Sequence, residues 1–335
     1  MLRLIAGGYA EAGAKGLVEL EFRNGALAVS ATLANVANVS AGLALPGSSR
    51  WWLVEERAGQ LVLLDGAEGW RREAVLPSGG EGPCYLALSP DGRLLAVANY
   101  DSGTVALLPL APDGSPAGPL ARHQNHGSGP SRERQEGPHA HWVGFGADRR
   151  LYAVDLGADR ILAFADPARG GLEAPATVFS APPGSGPRQL AFHPALPLAF
   201  LVSELASTLT VLERDEAGLL HARQTISTLP PGTAGESLGG AIALSADGGR
   251  LWVSNRGHDS VAAFAIDDGK ARLVGHAPSG GSSPRFLLQH EDCLFVAHEK
   301  SGGVTVLALD RDGTPHLSDA RADVRGAAFL ALLPG

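Results

Sequence analysis

The stretch GPHAH, residues 137–141, sets two histidines either side of one alanine, just ahead of an apolar run. On a strand, His139 and His141 share a face. Three chemistries suit such a pair: a metal-binding HxH, a catalytic acid or base, or two ordinary strand-end histidines. Zinc needs a third protein ligand, and no HxxE or cysteine partner stands nearby, so no metal is expected. Other charged residues stand at the ends of apolar runs further along: Arg188 in GPRQLAF, Glu204 in VSEL, Arg256 in SNRGHDS and Arg285 in SPRF. A facing Arg188–Glu204 pair reads either as a partly buried salt bridge or as an oriented catalytic carboxylate. Arg132 and Arg134 lie in the polar loop GSGPSRERQEG, which is either solvated or a cover that holds an anionic ligand. Cys84 has no designated base and reads as a small buried residue. His258 reads as a loop residue bonded within its own turn, and Asp101, Asp159 and Asp259 as turn caps.

What positions these residues is a repeat. SPDGRLLAVANYDSGTVALL from 89, GADRRLYAVDLGADRILAF from 146, HPALPLAFLVSELASTLTVL from 193, SADGGRLWVSNRGHDSVAAF from 245 and QHEDCLFVAHEKSGGVTVLAL from 289 share one pattern. Each runs from a polar turn through an apolar run, a polar residue and a polar loop to a second apolar run. LPGSSRWWLVEERAGQLVLL from 45 is a weaker copy. The polar landmarks Glu55, Asn99, Asp155, Glu204, Asn255 and His298 recur roughly every 43 to 56 residues, the period of four-stranded propeller blades. RLIAGGYAEAGAKGLVELEF near the N-terminus carries the second half of the pattern and DVRGAAFLALLPG at the C-terminus the first half. The expectation is a single all-β domain over residues 1–335, a seven-bladed β-propeller of antiparallel blades closed by pairing of the two chain ends.

In each copy the short turn makes a hairpin, so the start of the first strand and the end of the second meet at one blade edge. Strand-start residues are Ser40, Cys84, His141, Arg188, Gly240 and Arg285. The strand-end residues are the six landmarks, with Arg256 one step on. This register directs His141, Arg188, Glu204 and Arg256 to one mouth of the propeller, with His139 in the preceding loop. A slip of one residue would reverse the faces.

GSGPSRERQEGPHAHWVGF at 127–145, GPRQLAFHP at 186–194, VSEL at 202–205 and SNRGHDSVAAF at 254–264 resemble the propeller-type lactonases. That family includes the seven-bladed 6-phosphogluconolactonases and the 3-carboxy-cis,cis-muconate lactonising enzymes. The resemblance covers nearly the whole chain. It implies catalytic roles for His141, Arg188, Glu204 and Arg256, and substrate contacts by His139, Arg132, Arg134, Asn99 and Arg285. One departure is GGAIAL, with Gly240, Ala241 and Ala243, where the family often carries Ala-Glu-Ile-His. The implied activity is metal-independent hydrolysis of a sugar lactone, first of all 6-phosphogluconolactone. The alternatives are a carboxymuconate cycloisomerase and a propeller that only binds. Either His141 or Glu204 serves as general base, the other protonating the leaving oxygen, with the arginines holding an oxyanion or an anionic substituent.

Composition narrows the partners. A net charge of −8, 19% charged residues and the lack of a basic run argue against nucleic acid. Two cysteines and no CxxC argue against a disulfide framework or zinc cluster. The start MLRLIAGGYAEAG is broken by Gly-Gly before a signal-peptide core forms, and no stretch reaches membrane-span length, so a cytoplasmic protein without a membrane partner is expected. The expected partner is a small anionic sugar lactone or carboxylate, and no cofactor is required.

Overall fold

The computed structural model describes residues 1–33, 36–67, 69–301 and 303–333, so the last two residues of the closing segment lie outside it. Seven four-stranded antiparallel sheets make a seven-bladed β-propeller with almost no helix. In chain order they are sheet 1 (Gly42–Ala44, Arg50–Glu55, Gln60–Asp65, Arg71–Pro77), sheet 2 (Pro83–Leu88, Leu94–Asn99, Thr104–Pro109, Ala121–Gln124) and sheet 3 (Ala140–Phe145, Leu151–Asp155, Arg160–Phe164, Ala176–Ser180). Sheet 4 follows (Pro187–Phe192, Leu198–Ser203, Thr208–Arg214, Leu220–Ser227), then sheet 5 (Leu238–Leu244, Arg250–Arg256, Ser260–Asp267, Lys270–Pro278) and sheet 6 (Pro284–His290, Cys293–His298, Gly303–Leu309, Pro315–Ala322). Sheet 7 takes its first strand, Ala327–Leu332, from the C-terminus and the others, Leu2–Gly8, Leu17–Arg23 and Ala26–Leu33, from the N-terminus.

Contacts divide the chain into two compact units, Asn38–Arg188 and Met1–Ala37 with Gln189–Gly335; the strand Pro187–Phe192 runs across the division. In the first unit, Trp52, Leu61, Leu63, Leu95 and Val97 join sheets 1 and 2, and Ala96, Val105, Val143, Leu151 and Phe164 join sheets 2 and 3. In the second, Phe200, Val211, Leu251 and Phe264 join sheets 4 and 5, while Trp252, Val261, Leu294 and Val296 join sheets 5 and 6. Leu4, Leu20, Phe295, Val304 and Leu330 join sheets 6 and 7. The strands of sheets 2, 5 and 6 are apolar on both faces because each of these sheets is covered on both sides by its neighbours. The tight turns have a shared chemistry. Ser89 Oγ donates to Asp91 (2.6 Å) and accepts the Leu94 N–H (2.9 Å); Ser245 repeats the device with Asp247 (2.5 Å) and the Arg250 N–H (2.9 Å).

The chain ends close sheet 7 as expected. Leu2–Gly8 pairs with Ala327–Leu332, Leu4 opposite Leu332 and Gly7 opposite Phe329. Phe329 and Leu330 are buried, and each such side chain stabilises by about 1.5–3 kcal/mol. Deleting residues 323–335 therefore exposes both this core and the edge of Leu2–Gly8. The expected result in a thermal melt is a fall of roughly 10 °C or more, or no folded protein. An unchanged transition would mean that the closing strand is dispensable.

Candidate active site

The strand-start residues have a common backbone cause. In sheet 2, Pro83 faces Asn99 and Tyr85 faces Ala98, so Cys84 is an extra residue between them. In sheet 3, Ala140 faces Asp155 and Trp142 faces Val154, which makes His141 the extra residue. Sheet 6 repeats this at Arg285, between Pro284 opposite His298 and Phe286 opposite Ala297. Sheet 5 has its irregularity between Gly239 and Ile242 and so includes Gly240. Arg188 is likewise the second residue of its strand. A β-bulge re-aims one side chain and strengthens the local twist, and such bulges concentrate beside functional sites. Alternation alone could not reveal it, because the bulge breaks the period-two pattern.

The strand-end residues need a correction of register. Asn99 pairs with Thr104, Asp155 with Arg160, Asn255 with Ser260 and His298 with Gly303; the equivalent in sheet 4 is Ser203, paired with Thr208. Glu204 therefore belongs one step further on, with Arg256, Tyr100 and Glu299. The residues at the landmark step hold backbone. Asn99 is fully buried; its Nδ2 donates to Ser78 O (3.3 Å) and Thr104 O (3.4 Å), and its Oδ1 has no partner among the described residues. Asn255 Nδ2 donates to Thr228 O (2.9 Å), and His298 Nδ1 donates to Gly303 O (3.2 Å), with burial holding its imidazole pKa below the usual range. One step on stand Tyr100, Leu156, Glu204, Arg256 and Glu299, so the charges in sheets 4, 5 and 6 fall at this step.

In the second unit, Glu204 is 1% exposed and its carboxylate lies 2.6 Å from Arg256 Nη2. The same Nη2 donates to Gly239 O (3.2 Å), and the Gly239 N–H donates to Glu204 O (2.8 Å), so the pair is tied to backbone at both ends. The buried Arg256 Nε–H has no partner among the described residues. Arg285 lies 3.3 Å from Glu299, and its guanidinium carbon sits 5.1 Å from the centre of the Tyr9 ring. Asp259 accepts the Ser283 N–H (2.8 Å) and so fixes the approach to Arg285. His258 bonds Ser260 within its own turn (2.7 Å). Gly240 has a steric reason: a Cβ there would collide with Ser254 Oγ and come within 2.9 Å of Pro284 O.

In the first unit the GPHAH segment is held from several sides. Asp155 accepts the His139 N–H (2.9 Å), the Ala158 N–H (3.0 Å) and Asn125 Nδ2 (2.9 Å), while its burial pushes its pKa up. Gly103 and Gly157 abut the backbone of Pro138 and Gly137 too closely for any side chain. His139 donates from Nδ1 to Tyr100 O (2.9 Å), faces Glu136 at Nε2 (3.2 Å) and stacks on the Tyr100 ring at 4.5 Å. His141 is buried, with its ring edge-on to Tyr100 at 5.5 Å and its carbonyl accepting from Cys84 Sγ (3.5 Å). Cys84 is thus a small buried residue, as expected. Arg188 is 3% exposed and lies near Tyr85, whose hydroxyl pKa burial pushes up against the opposing pull of that arginine. Asp159 accepts the Gly184 (2.7 Å) and Gly186 (2.8 Å) N–H groups and fixes the approach to Arg188.

The loop before GPHAH is anchored. Gln135 is fully buried; its Nε2 donates to Leu156 O (2.9 Å) and its Oε1 accepts the Ser131 N–H (3.3 Å). Arg134 Nη2 donates to the Tyr100 hydroxyl (3.3 Å), whereas Arg132 is exposed. Among the described residues no three His, Cys, Asp or Glu side chains gather to hold a metal, and no helix is long and apolar enough to cross a membrane.

Known proteins carry the same architecture. The family described as "Lactonase, 7-bladed beta-propeller" matches residues 3–331. The chain belongs to that lactonase family, a family of lactone-hydrolysing enzymes. It is 33% identical over 239 residues to a 6-phosphogluconolactonase of Bacillus subtilis, covering 70% of this chain and 68% of the relative. Among solved structures, a Lactobacillus plantarum protein superposes with a TM-score of 0.90 at 26% identity, and the Pseudomonas aeruginosa periplasmic gluconolactonase PpgL with 0.88 at 29%; each comparison covers 99% of both chains.

Proposed function

We propose that this lactonase hydrolyses a sugar lactone carrying an anionic group, 6-phosphogluconolactone first, without a metal or cofactor. His141, Arg188, Glu204 and Arg256 are the residues assigned to the reaction. The observation that carries the reading is the buried Glu204–Arg256 pair, a permanent cation held in place by a carboxylate and by the Gly239 backbone. The name of the Bacillus subtilis relative supports the substrate.

Hydrolysis adds water to the ring carbonyl, places negative charge on its oxygen, and then expels the ring oxygen, which takes a proton. Glu204 already accepts a short charge-assisted bond from Arg256. An imidazole both takes and gives a proton near neutral pH. The reading therefore gives His141 both transfers: the proton from water on attack, and its return to the ring oxygen on collapse. Arg256, oriented by Glu204, stabilises the oxyanion, and Arg188 supplies a second permanent charge. The reading also takes the chain as one folding domain in the cytoplasm; one calorimetric transition and cell fractionation test these points.

The deciding assay sets gluconolactone, its 6-phosphate and a carboxymuconate side by side against the purified protein. Hydrolysis of the phosphorylated lactone, with activity retained after exhaustive chelation, is the expected result. Turnover of the carboxymuconate alone would replace the hydrolase by a cycloisomerase, and zinc-dependent activity would remove metal independence.

A further inference from the structure

We infer that Tyr100 is a positioning residue for this reaction, one that holds both His141 and an anion-binding Arg134; the inference rests on the lactonase reading above and specifies how the anionic group is recognised. Tyr100 follows Asn99 in sheet 2 and so occupies the step that Glu204 and Arg256 occupy in sheets 4 and 5. Its N–H donates to Gly82 O (2.8 Å), which fixes the backbone at that step. Three side chains use it at once. His139 stacks on its ring, His141 meets it edge-on, and Arg134 donates to its hydroxyl.

These contacts divide into two functions. The ring sets the orientation of the imidazoles, because aromatic pairs favour stacked and edge-on geometries. The hydroxyl is a fixed acceptor for the Arg134 guanidinium. Arg134 comes from a loop that Gln135 anchors, so loop and side chain are both held. A half-buried arginine held in this way suits a phosphate or carboxylate on the substrate, because guanidinium is a permanently charged planar fork. Loss of the hydroxyl should weaken anion recognition alone, and loss of the ring should disturb His141 as well.

The test compares Tyr100→Phe and Tyr100→Leu on gluconolactone and its 6-phosphate. Tyr100→Phe is expected to raise KM for the phosphorylated lactone about tenfold, with kcat within about twofold and little change on the neutral lactone. Tyr100→Leu is expected to lower kcat on both. A Tyr100→Phe protein with wild-type KM on both lactones would overturn the inference, as would equal losses on both. An activity-independent readout separates it from failure of the lactonase reading: titration of the wild type with inorganic phosphate should shift the imidazole NMR signals of His139 and His141, and Tyr100→Phe should weaken that response about tenfold. If neither lactone is hydrolysed, the reaction is misread, and the phosphate titration still decides the role of Tyr100: an identical response in wild type and Tyr100→Phe overturns it.

Discussion

His141→Asn lowers turnover by about 10²- to 10⁴-fold, the scale of a lost general acid or base, and leaves the fold intact. The histidine is buried on a bulge, and its backbone carbonyl accepts from Cys84 whatever the side chain is. Asparagine fits that space and retains a hydrogen-bonding edge, but it carries no proton near neutral pH. His139→Ala acts differently. It removes the Nδ1 bond to Tyr100 O, the stack on the Tyr100 ring and the contact with Glu136. Each loss loosens the approach to the strand, so the expected change is a lower melting temperature with roughly tenfold or smaller loss of turnover. Rate constants and melting curves of the two variants measured together decide the matter. A folded, nearly normal His141→Asn beside a dead His139→Ala would exchange the two roles.

The difference between these histidines shows what could be read from the chain alone. Hairpin turns built on Ser89–Asp91 and Ser245–Asp247 are written in the local sequence, because the turn residues bond to their own backbone. Sheet 7 was legible for the same reason: each half of its pattern stands at one chain end. Cys84, His141, Arg188, Gly240 and Arg285 followed as strand-start residues by counting back from these turns, whereas Ser40 lies ahead of its strand, which begins at Gly42. The register at the strand end was less legible. VSEL offers one polar-looking step at Ser203 and another at Glu204, and only the pairing of Ser203 with Thr208 decides between them. Once that step is fixed, Tyr100 falls at the same strand step as Glu204 and Arg256, and Asn99 at the step of Ser203 and Asn255. In sheets 2, 4, 5 and 6 the signal lay in the residue after the landmark step, in NY, SE, NR and HE, where an aromatic or charged side chain follows an amide, hydroxyl or imidazole; DL in sheet 3 does not follow it. The bulges were hidden because an extra residue reverses the alternation by which faces are assigned.

Removing the Arg256 guanidinium has the largest expected consequence for stability, and a large one for activity. Arg256→Ala removes the 2.6 Å cationic partner of a Glu204 carboxylate that is 1% exposed, and a broken buried ion pair destabilises by about 3–5 kcal/mol. Arg256→Lys keeps the charge but loses the planar, delocalised fork. It should fold, and turnover should fall about 10²- to 10³-fold, as when an oxyanion donor is lost. A double variant isolates the chemistry from the packing. Glu204→Gln with Arg256→Met removes both charges and fills similar volume, so most of the stability lost in Arg256→Ala should return. Activity should not return with it, because no cation faces the developing oxyanion. Denaturant unfolding and kcat/KM measured on all three proteins give the two readouts independently. If the double variant recovered turnover along with stability, the pair would be a structural tie between Glu204 and the Gly239 backbone, and the stabilising charge would have to be assigned to Arg188.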